Sequence, residues 1–432
     1  MIGALLFVSF VLLMLAGVPI GVALGLGGVL AIGLANMDSA HFGLLAVPQN
    51  FYASLTKYPL LALPMFVLVG SIFDRSGVAQ RLVNFAVAII GRGPGMLPVV
   101  AIMVAMFLGG ISGSGPANAA AVGGVMIAAM ARAGYPSAFS ASVIGAAAAT
   151  DILIPPSIAL IVYSVLVPGA SVPALFAAGM VPGILAGLAL ILPTIWLSRR
   201  HGLGQGEASQ DRPPFWASMR EAFWGLMAPF LILGGMRMGW FTPTEAAAVA
   251  VAYGLFVGML VHRTIKVADL FPIFKEAAEI SAVILLIIGL ASIFAYSVNT
   301  LSIIDPITQA ILQTGLGSTG ALLMLVALLL VVGMFLDGVS IFLIFVPLVM
   351  PLMRAYQWDP VWFGILLTMM VAVGQFTPPM AVNLMVSCKM AGVSMEQTFP
   401  WVWWLVLAMT ISMLAVLFFP PLALWLPQYL GY

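Results

Sequence analysis

Two interrupted apolar segments, repeated at a fixed interval, constrain this chain more than any other feature. The first reads GGISGSGPANAAAVGG at 109–124 and is followed by DILIPPSIALIVYS at 151–164. Ser112, Gly113, Ser114, Gly115 and Pro116 cannot sustain a regular helix, because glycine is entropically costly there and proline lacks a donor. Pro155 and Pro156 break the next apolar run in the same way. Inside a bilayer, irregular backbone survives only where protein or a water-filled cavity satisfies its polar groups. Two such breaks close together point to a ligand site rather than to accidental flaws in two spans.

The second half repeats the arrangement. A shift of 223 positions (378 minus 155) lays Pro155 and Pro156 on Pro378 and Pro379. The same shift, without a gap, lays Gly110 on Gly333, Gly115 on Gly338 and Met130 on Met353. Ser164 then meets Ser387, Gly169 meets Gly392, Ser171 meets Ser394 and Phe176 meets Phe399. Interrupted apolar segments at corresponding places in two halves are the sequence signature of a secondary transporter's binding site.

Composition decides the solvent. Of 432 residues, 63% are hydrophobic and 7% charged, whereas a soluble domain carries roughly a quarter charged residues. The mean hydropathy is +1.18. The fold class is therefore an all-α, polytopic membrane protein. A net charge of +1 offers no basic surface for nucleic acid. The single cysteine, Cys388, excludes an internal disulfide and a cysteine-rich metal site. The N-terminus has no Lys or Arg before Lys57, unlike a cleaved signal peptide.

A helical span needs about 20 apolar residues. Two short spans fill 2–35, hinged at Gly17 and Pro19, and an aromatic interval at 36–58 is expected along the interface. A span at 59–73 leads into a short basic segment with Arg75, Arg81 and Arg92. The arms 96–112 and 117–132 are too short for full crossings, so they are expected as a re-entrant hairpin. The run 136–167 is a broken crossing, and 173–197 returns. Further spans lie at 222–236, 244–261 and 276–298, with a connector at 300–314. A second hairpin (318–353), a second broken crossing (360–389) and a last span (401–426) complete the chain. The fold expected is an inverted repeat with two re-entrant hairpins and two broken helices. Its divisions are scaffold helices at 1–92, a first transport repeat at 93–172 and scaffold with connectors at 173–315. A second repeat at 316–392 and a final helix at 393–432 follow.

With both hairpins re-entrant, the basic residues fall on one face: Arg75, Arg81, Arg92, Arg132, Arg199, Arg200, Arg212, Arg220, Arg263, Lys266 and Lys275. That face is cytoplasmic by the positive-inside rule, with Arg237 and Arg354 as exceptions. The hairpins then open to opposite sides, as alternating access requires.

At the first break, Ser112, Ser114 and Asn118 supply neutral oxygens of the kind that hard monovalent cations take. The half-helix that follows can point its positive N-terminal end at a carboxylate. Close packing of small residues is the plainer alternative. The facing break offers Thr150, Asp151, Pro155 and Ser157. At the second break, Asp337 and Ser340 face Gln375, Thr377, Pro378 and Asn383. Asp337 is an ionisable group at membrane depth, hence a functional candidate, or else a helix cap. Asp151 is open to a buried salt bridge, a cap or ligand contact. Lys389 is either a headgroup anchor or an attractor of anions. Thr242, Pro243 and Glu245 spell a helix start and need no further role. The candidate substrate contacts are Ser157, Asp337, Ser340 and Asn383.

An enzyme reading rests on Gly110, Ser112 and Gly113, which match the GxSG of intramembrane serine proteases. That chemistry needs a histidine base beside the serine, and His41, His201 and His262 all sit near the ends of apolar runs. No ATP-binding loop is present, so an ion gradient or another subunit must drive transport. A non-transporting scaffold would have no need of duplicated helix breaks.

Several long motifs in order carry a family resemblance. They are GGISGSGPANAAAVGG, RAGYPSAFSASVIGAAAATDILIPPSIALIVYS, FTPTEAAAVAVAYG, FLDGVSIFLIFVPLVMPL and GQFTPPMAVNLMVS. Over essentially the whole chain the sequence resembles the large membrane subunit of TRAP (tripartite ATP-independent periplasmic) transporters. The resemblance implies an elevator mechanism in the cytoplasmic membrane of a bacterium or archaeon. It implies sodium as the coupling ion, with no other cofactor, and a small organic acid as substrate, such as a C4-dicarboxylate or a sialic acid. One sodium site would involve Ser112, Ser114, Asn118 and backbone near Pro155. The other would involve Gly333, Gly338, Thr377 and Pro378. Two partners are implied: a small four-helix membrane subunit and a soluble periplasmic binding protein. Because the chain starts directly at a span, the small subunit is expected as a separate polypeptide. Where the family commonly has SGSS followed by Ala-Asp, this chain has Gly115, Pro116 and Asn118, so its ion ligands differ. The rival within transport is a stand-alone sodium/dicarboxylate symporter.

Overall fold

The computed structural model describes residues 2–37, 42–90, 93–209 and 213–432. Three residues used in the sequence reading, His41, Arg92 and Arg212, lie outside them. The described residues form helices and connecting turns, with no strand among them. In chain order come α1 (Ile2–Leu15), α2 (Ile20–Ala35), α3 (Phe42–Leu55), α4 (Ala62–Arg75) and α5 (Val78–Ile89). The first hairpin is α6 (Met96–Ser112) and α7 (Gly115–Arg132), and the first broken crossing is α8 (Ser137–Ala148) and α9 (Ile158–Leu166). Then come α10 (Val172–Arg200), α11 (Phe215–Arg237), α12 (Pro243–Leu255), α13 (Val267–Thr300) and α14 (Asp305–Gln313). The second hairpin is α15 (Gly317–Gly333) and α16 (Gly338–Ala355), and the second broken crossing is α17 (Pro360–Gly374) and α18 (Val382–Ala391). Two helices end the chain, α19 (Phe399–Phe418) and α20 (Pro421–Leu430).

The 223-residue shift lays α7 on α16 from end to end and α8 on the start of α17. The breaks correspond too, and the Pro155–Pro156 and Pro378–Pro379 peptide bonds are both cis. The repeats are interlocked: α9 packs on α16 and α17 of the second repeat, and α18 packs on α7 and α8 of the first. This exchange brings two sequence-distant breaks to one place.

Around them, α13 packs on α2, α3 and α4, while α4 packs on α12 and α5 on α11. The stretch after Arg75, expected as a short basic segment, contains α5. Val78, Leu82, Val83 and Ala86 recur at helical spacing and are buried, which gives the segment an apolar stripe of its own. α10 runs against α6, α9, α17 and α19. Its glycines open that face: a methyl built on Gly179 would lie 2.3 Å from the Leu153 carbonyl, and one on Gly183 would lie 2.7 Å from Ile154. Only backbone without side chains lets α10 sit this close to the first break.

Among the described residues, six helical stretches are long and apolar enough to cross a bilayer by length and composition. Several helix starts are closed by ordinary capping chemistry. Thr242 and Glu245 form the expected reciprocal cap of α12, and the Asp359 side chain accepts from Val361 N and Trp362 N at the start of α17. Contacts also gather the basic helix ends. His262 Nδ1 lies 3.0 Å from the Ser76 carbonyl, and Arg75 pairs with Glu276 at 2.6 Å. Near the open end of the first hairpin, Tyr135 donates to Glu207 at 2.5 Å and accepts from Gly95 N at 2.6 Å. Burial first, and then Glu207, push the Tyr135 phenol above its ordinary pKa.

Candidate functional site

Both hairpin tips end in the interior, and glycine is what seats them there. Gly113 closes the first tip with φ +62°, a left-handed conformation that other residues adopt at a penalty. A methyl on it would lie 2.9 Å from the Pro156 carbonyl. At the second tip, a methyl on Gly374 would lie 2.6 Å from Gly333 backbone. Each hairpin therefore touches the break of its own repeat through bare backbone.

Between the tips lies a cavity of 430 Å³. The first tip contributes Ser112 through Ala117, and the second contributes Asp337, Gly338 and Val339. The breaks contribute Ile152, Ile158 and Ala159 on one side and Gln375 and Val382 on the other. The remaining wall comes from α4, with Ser71 and Asp74, and from α13, with Glu276 and a run of isoleucines and valines. The cavity is thus mostly apolar with a few convergent polar groups, the usual make-up of a small-molecule site.

Of the candidate ion and substrate residues named from the sequence, Ser112, Ser114, Asp337 and Gly338 line this cavity, as do Gln375 and the tip residues Gly113, Gly115 and Pro116. The others sit behind it. Ser157 is fully buried; its hydroxyl donates to the Ile152 carbonyl at 2.6 Å and accepts from Leu160 N, capping α9. Thr377 donates to the Val373 carbonyl at 2.6 Å. Asp337 caps α16, accepting from Ser340 N at 3.2 Å and from the Ser340 hydroxyl. Both alternatives for Asp337 thus hold at once: it is a cap, and it opens into the cavity. The Pro155 carbonyl faces Gly110, and Gly333 abuts Gly374. Pro378 is buried in the second break.

Among the described residues, three buried side-chain oxygens near the breaks, Asn118 Oδ1, Asp151 Oδ1 and Asn383 Oδ1, lack a hydrogen-bond partner; a fourth, Thr244 Oγ1, belongs to the start of α12. Asn118 spends its amide nitrogen on the Ala105 carbonyl at 2.8 Å. Asn383 spends its own on Gln375 Oε1 at 3.3 Å, and its amide abuts Gly115 of the opposite repeat. Asp151 is fully buried and receives the Ser112 hydroxyl at 3.4 Å. No ion pair to Asp151 exists among the described residues, which removes the buried salt bridge as its explanation. Buried acceptors left unpaired are unfavourable, and a cation beside them relieves the deficit.

The two helix N-termini at the cavity differ. At α16 the Asp337 carboxylate occupies the end. At α7, Ser114 makes no side-chain cap, so the N–H groups of Gly115 and Ala117 are left uncapped at the cavity, while Pro116 between them has none to offer. An uncapped N-terminus carries partial positive charge and accepts anions.

The sequence reading missed the wall. Asp74 and Glu276 end apolar runs some 200 positions apart, and their one signal was a charge set at the edge of a span. The serine-protease pairing does not form among the described residues: Ser112 is bonded to Asp151, His201 packs on Trp401, and His262 faces Ser76. Lys389 is exposed and outside the cavity.

Comparison with known proteins agrees in architecture and sequence. Residues 7–422 match the family described as Tripartite ATP-independent periplasmic transporter, DctM component. The C4-dicarboxylate TRAP transporter large permease protein DctM of Pseudomonas aeruginosa is 37% identical over 413 residues, which is 95% of this chain and 94% of that one. The isethionate TRAP transporter permease protein DctMQ of Oleidesulfovibrio alaskensis is 36% identical over 95% of this chain, which spans 64% of that longer protein. Among solved structures, the YdaH transporter of Alcanivorax borkumensis superposes with a TM-score of 0.62 at 13% identity, covering 89% of this chain and 91% of that one. That last likeness concerns the fold.

Proposed function

The chain belongs to the DctM component family of tripartite ATP-independent periplasmic transporters, and on that premise we propose that it carries a small organic anion across the cytoplasmic membrane by sodium-coupled symport. The observation that bears the most weight is the cavity of 430 Å³ where both hairpin tips converge. The substrate's carboxylate is held at the open N-terminus of α7, with Ser112 and Ser114 as hydroxyl partners. One sodium ion sits beside the unpaired Asn118 Oδ1 and Asp151 Oδ1, around Ser112, Ser114, Asn118 and backbone near Pro155. The other sits at the second tip, around backbone of Gly333, Gly338 and Pro378 with Thr377.

Movement follows from the packing. The interlocked repeats form one body that includes α10, expected in the scaffold, and α19, expected as a separate final helix, because both pack on the repeats; α1–α5 and α11–α13 form the wall this body slides along, as an elevator. The cavity reaches that wall at Asp74 and Glu276, beside Arg75 at the basic end of α4. Names of the relatives support a carboxylate or sulfonate substrate. They also support the two partners: a small membrane subunit and a periplasmic binding protein that delivers the substrate.

The test is uptake in proteoliposomes holding this chain with its small subunit, with the loaded binding protein outside. An inward sodium gradient should drive accumulation, and replacing sodium by potassium should abolish it. Accumulation that persists in potassium would remove sodium coupling. Accumulation without the binding protein would favour a stand-alone symporter.

A further inference from the structure

Away from the central cavity, α10 and α19 meet along a surface groove of 380 Å³. Ala189, Pro193 and Ala408 make its floor, and Leu192, Trp196 and Trp404 stand along it. Beyond Trp196 lies a second hollow, of 490 Å³, which ends at Arg199 and Arg200. Leu192 and Trp196 border both hollows. The ridge of Leu192 and Trp196 therefore separates two apolar hollows, and Arg199 and Arg200 line the second of them.

The head of the ridge is well ordered by its own contacts. The Trp196 and Trp404 ring centroids lie 4.9 Å apart, and the Arg200 guanidinium carbon lies 4.8 Å above the Trp196 ring. Such a cation–π contact holds a guanidinium in place without neutralising it. Both arginines are exposed, and the ion pairs found among the described residues, Arg75–Glu276 and Lys275–Glu279, use neither. A tryptophan pair beside two arginines is the chemistry of a membrane–water interface.

We propose that this face binds one anionic diacyl phospholipid, with an acyl chain on each side of Trp196 and the phosphate against Arg199 and Arg200. Charge complementarity selects the occupant, since two uncompensated guanidiniums favour a phosphate diester with an anionic headgroup over a zwitterionic one. Shape selects it too. Leu192 and Trp196 border a hollow on either side, which gives each of a lipid's two chains a place against one ridge. The site sits on the helix whose glycines seat the first break, so the lipid is anchored to the body carrying the cavity. This inference rests on the membrane fold and is independent of sodium coupling or substrate.

Native mass spectrometry of the full chain, purified with whatever subunit accompanies it, tests the site with phosphatidylglycerol as the probe. The wild type should retain one phosphatidylglycerol through delipidation that strips phosphatidylethanolamine. Arg199→Gln with Arg200→Gln should weaken phosphatidylglycerol about thirtyfold, the equivalent of about 1 kcal/mol for each arginine. Arg199→Lys with Arg200→Lys should keep most of the binding, which separates charge from misfolding. Equal retention in the wild type and the glutamine variant would overturn the proposal. So would loss of a helical subunit from the glutamine variant with its lipid content unchanged.

Discussion

The two hairpin tips share a backbone plan and differ in where they keep their charge. In register, Ser114 corresponds to Asp337 and Asp151 to Gly374. The first repeat holds its carboxylate in the break, buried and bonded to Ser112, and leaves the α7 terminus open. The second places its carboxylate on the tip, where it closes the α16 terminus, and fills the equivalent of Asp151 with a glycine pressed on Gly333. A repeat inherited as geometry has thus become polar in one direction. One end of the cavity leaves its helix terminus uncapped, and the other closes it with its own carboxylate.

The largest expected effect comes from the contact that has no room. Gly374→Val drives a side chain into Gly333 backbone, which cannot move away as a flexible side chain would. Overpacking of this kind costs about 1–3 kcal/mol or more, so uptake should be lost and the protein should elute heterogeneously on size exclusion. Gly124→Ala, where the nearest atom to the new methyl is Met390 Cε at 3.5 Å, should behave as wild type. Normal uptake by the valine variant would mean that the second hairpin does not need its break.

Next comes the charge itself. Asp151→Asn should raise the sodium concentration for half-maximal uptake about tenfold, corresponding to about 1.4 kcal/mol. Asp337→Asn should lower transport with a smaller sodium shift, because that carboxylate faces solvent in the cavity. A larger shift from Asp337→Asn would reverse the assignment of the two ends. Ser112→Ala leaves the buried Asp151 without its hydroxyl donor, at about 1–3 kcal/mol, readable as a lowered unfolding temperature. Ser114→Ala should weaken sodium activation while expression holds; unchanged sodium activation would count against the first ion site. The smallest effect belongs to Thr242→Ala, a capping loss of about 1 kcal/mol with no change in sodium dependence. Were that variant to alter coupling, the cap would have a role that its position does not explain.

Much of this was legible in the residues. The Gly-rich and Pro-Pro breaks forecast where helices stop, because those residues lack a side chain or a donor whatever surrounds them. The short apolar arms on either side of each tip forecast the hairpins. Less legible was the wall of α4 and α13, since Asp74 and Glu276 belong to no spacing pattern and meet only after folding. Ser157 shows a role that the sequence did not separate from ligand contact. Its position beside the break marked it for a ligand, but an N-cap needs that hydroxyl first.

The chain alone settled its solvent, its helical class, the duplication and the location of the breaks, because each follows from local chemistry in lipid. Tertiary structure decided that α18 crosses into the first repeat and α9 into the second. It also decided that Asn383 abuts Gly115, and which oxygens are left unpaired. Those outcomes depend on three-dimensional packing between segments far apart in sequence. An oxygen is satisfied or orphaned by its neighbours in space, and periodicity along one strand of sequence does not encode them.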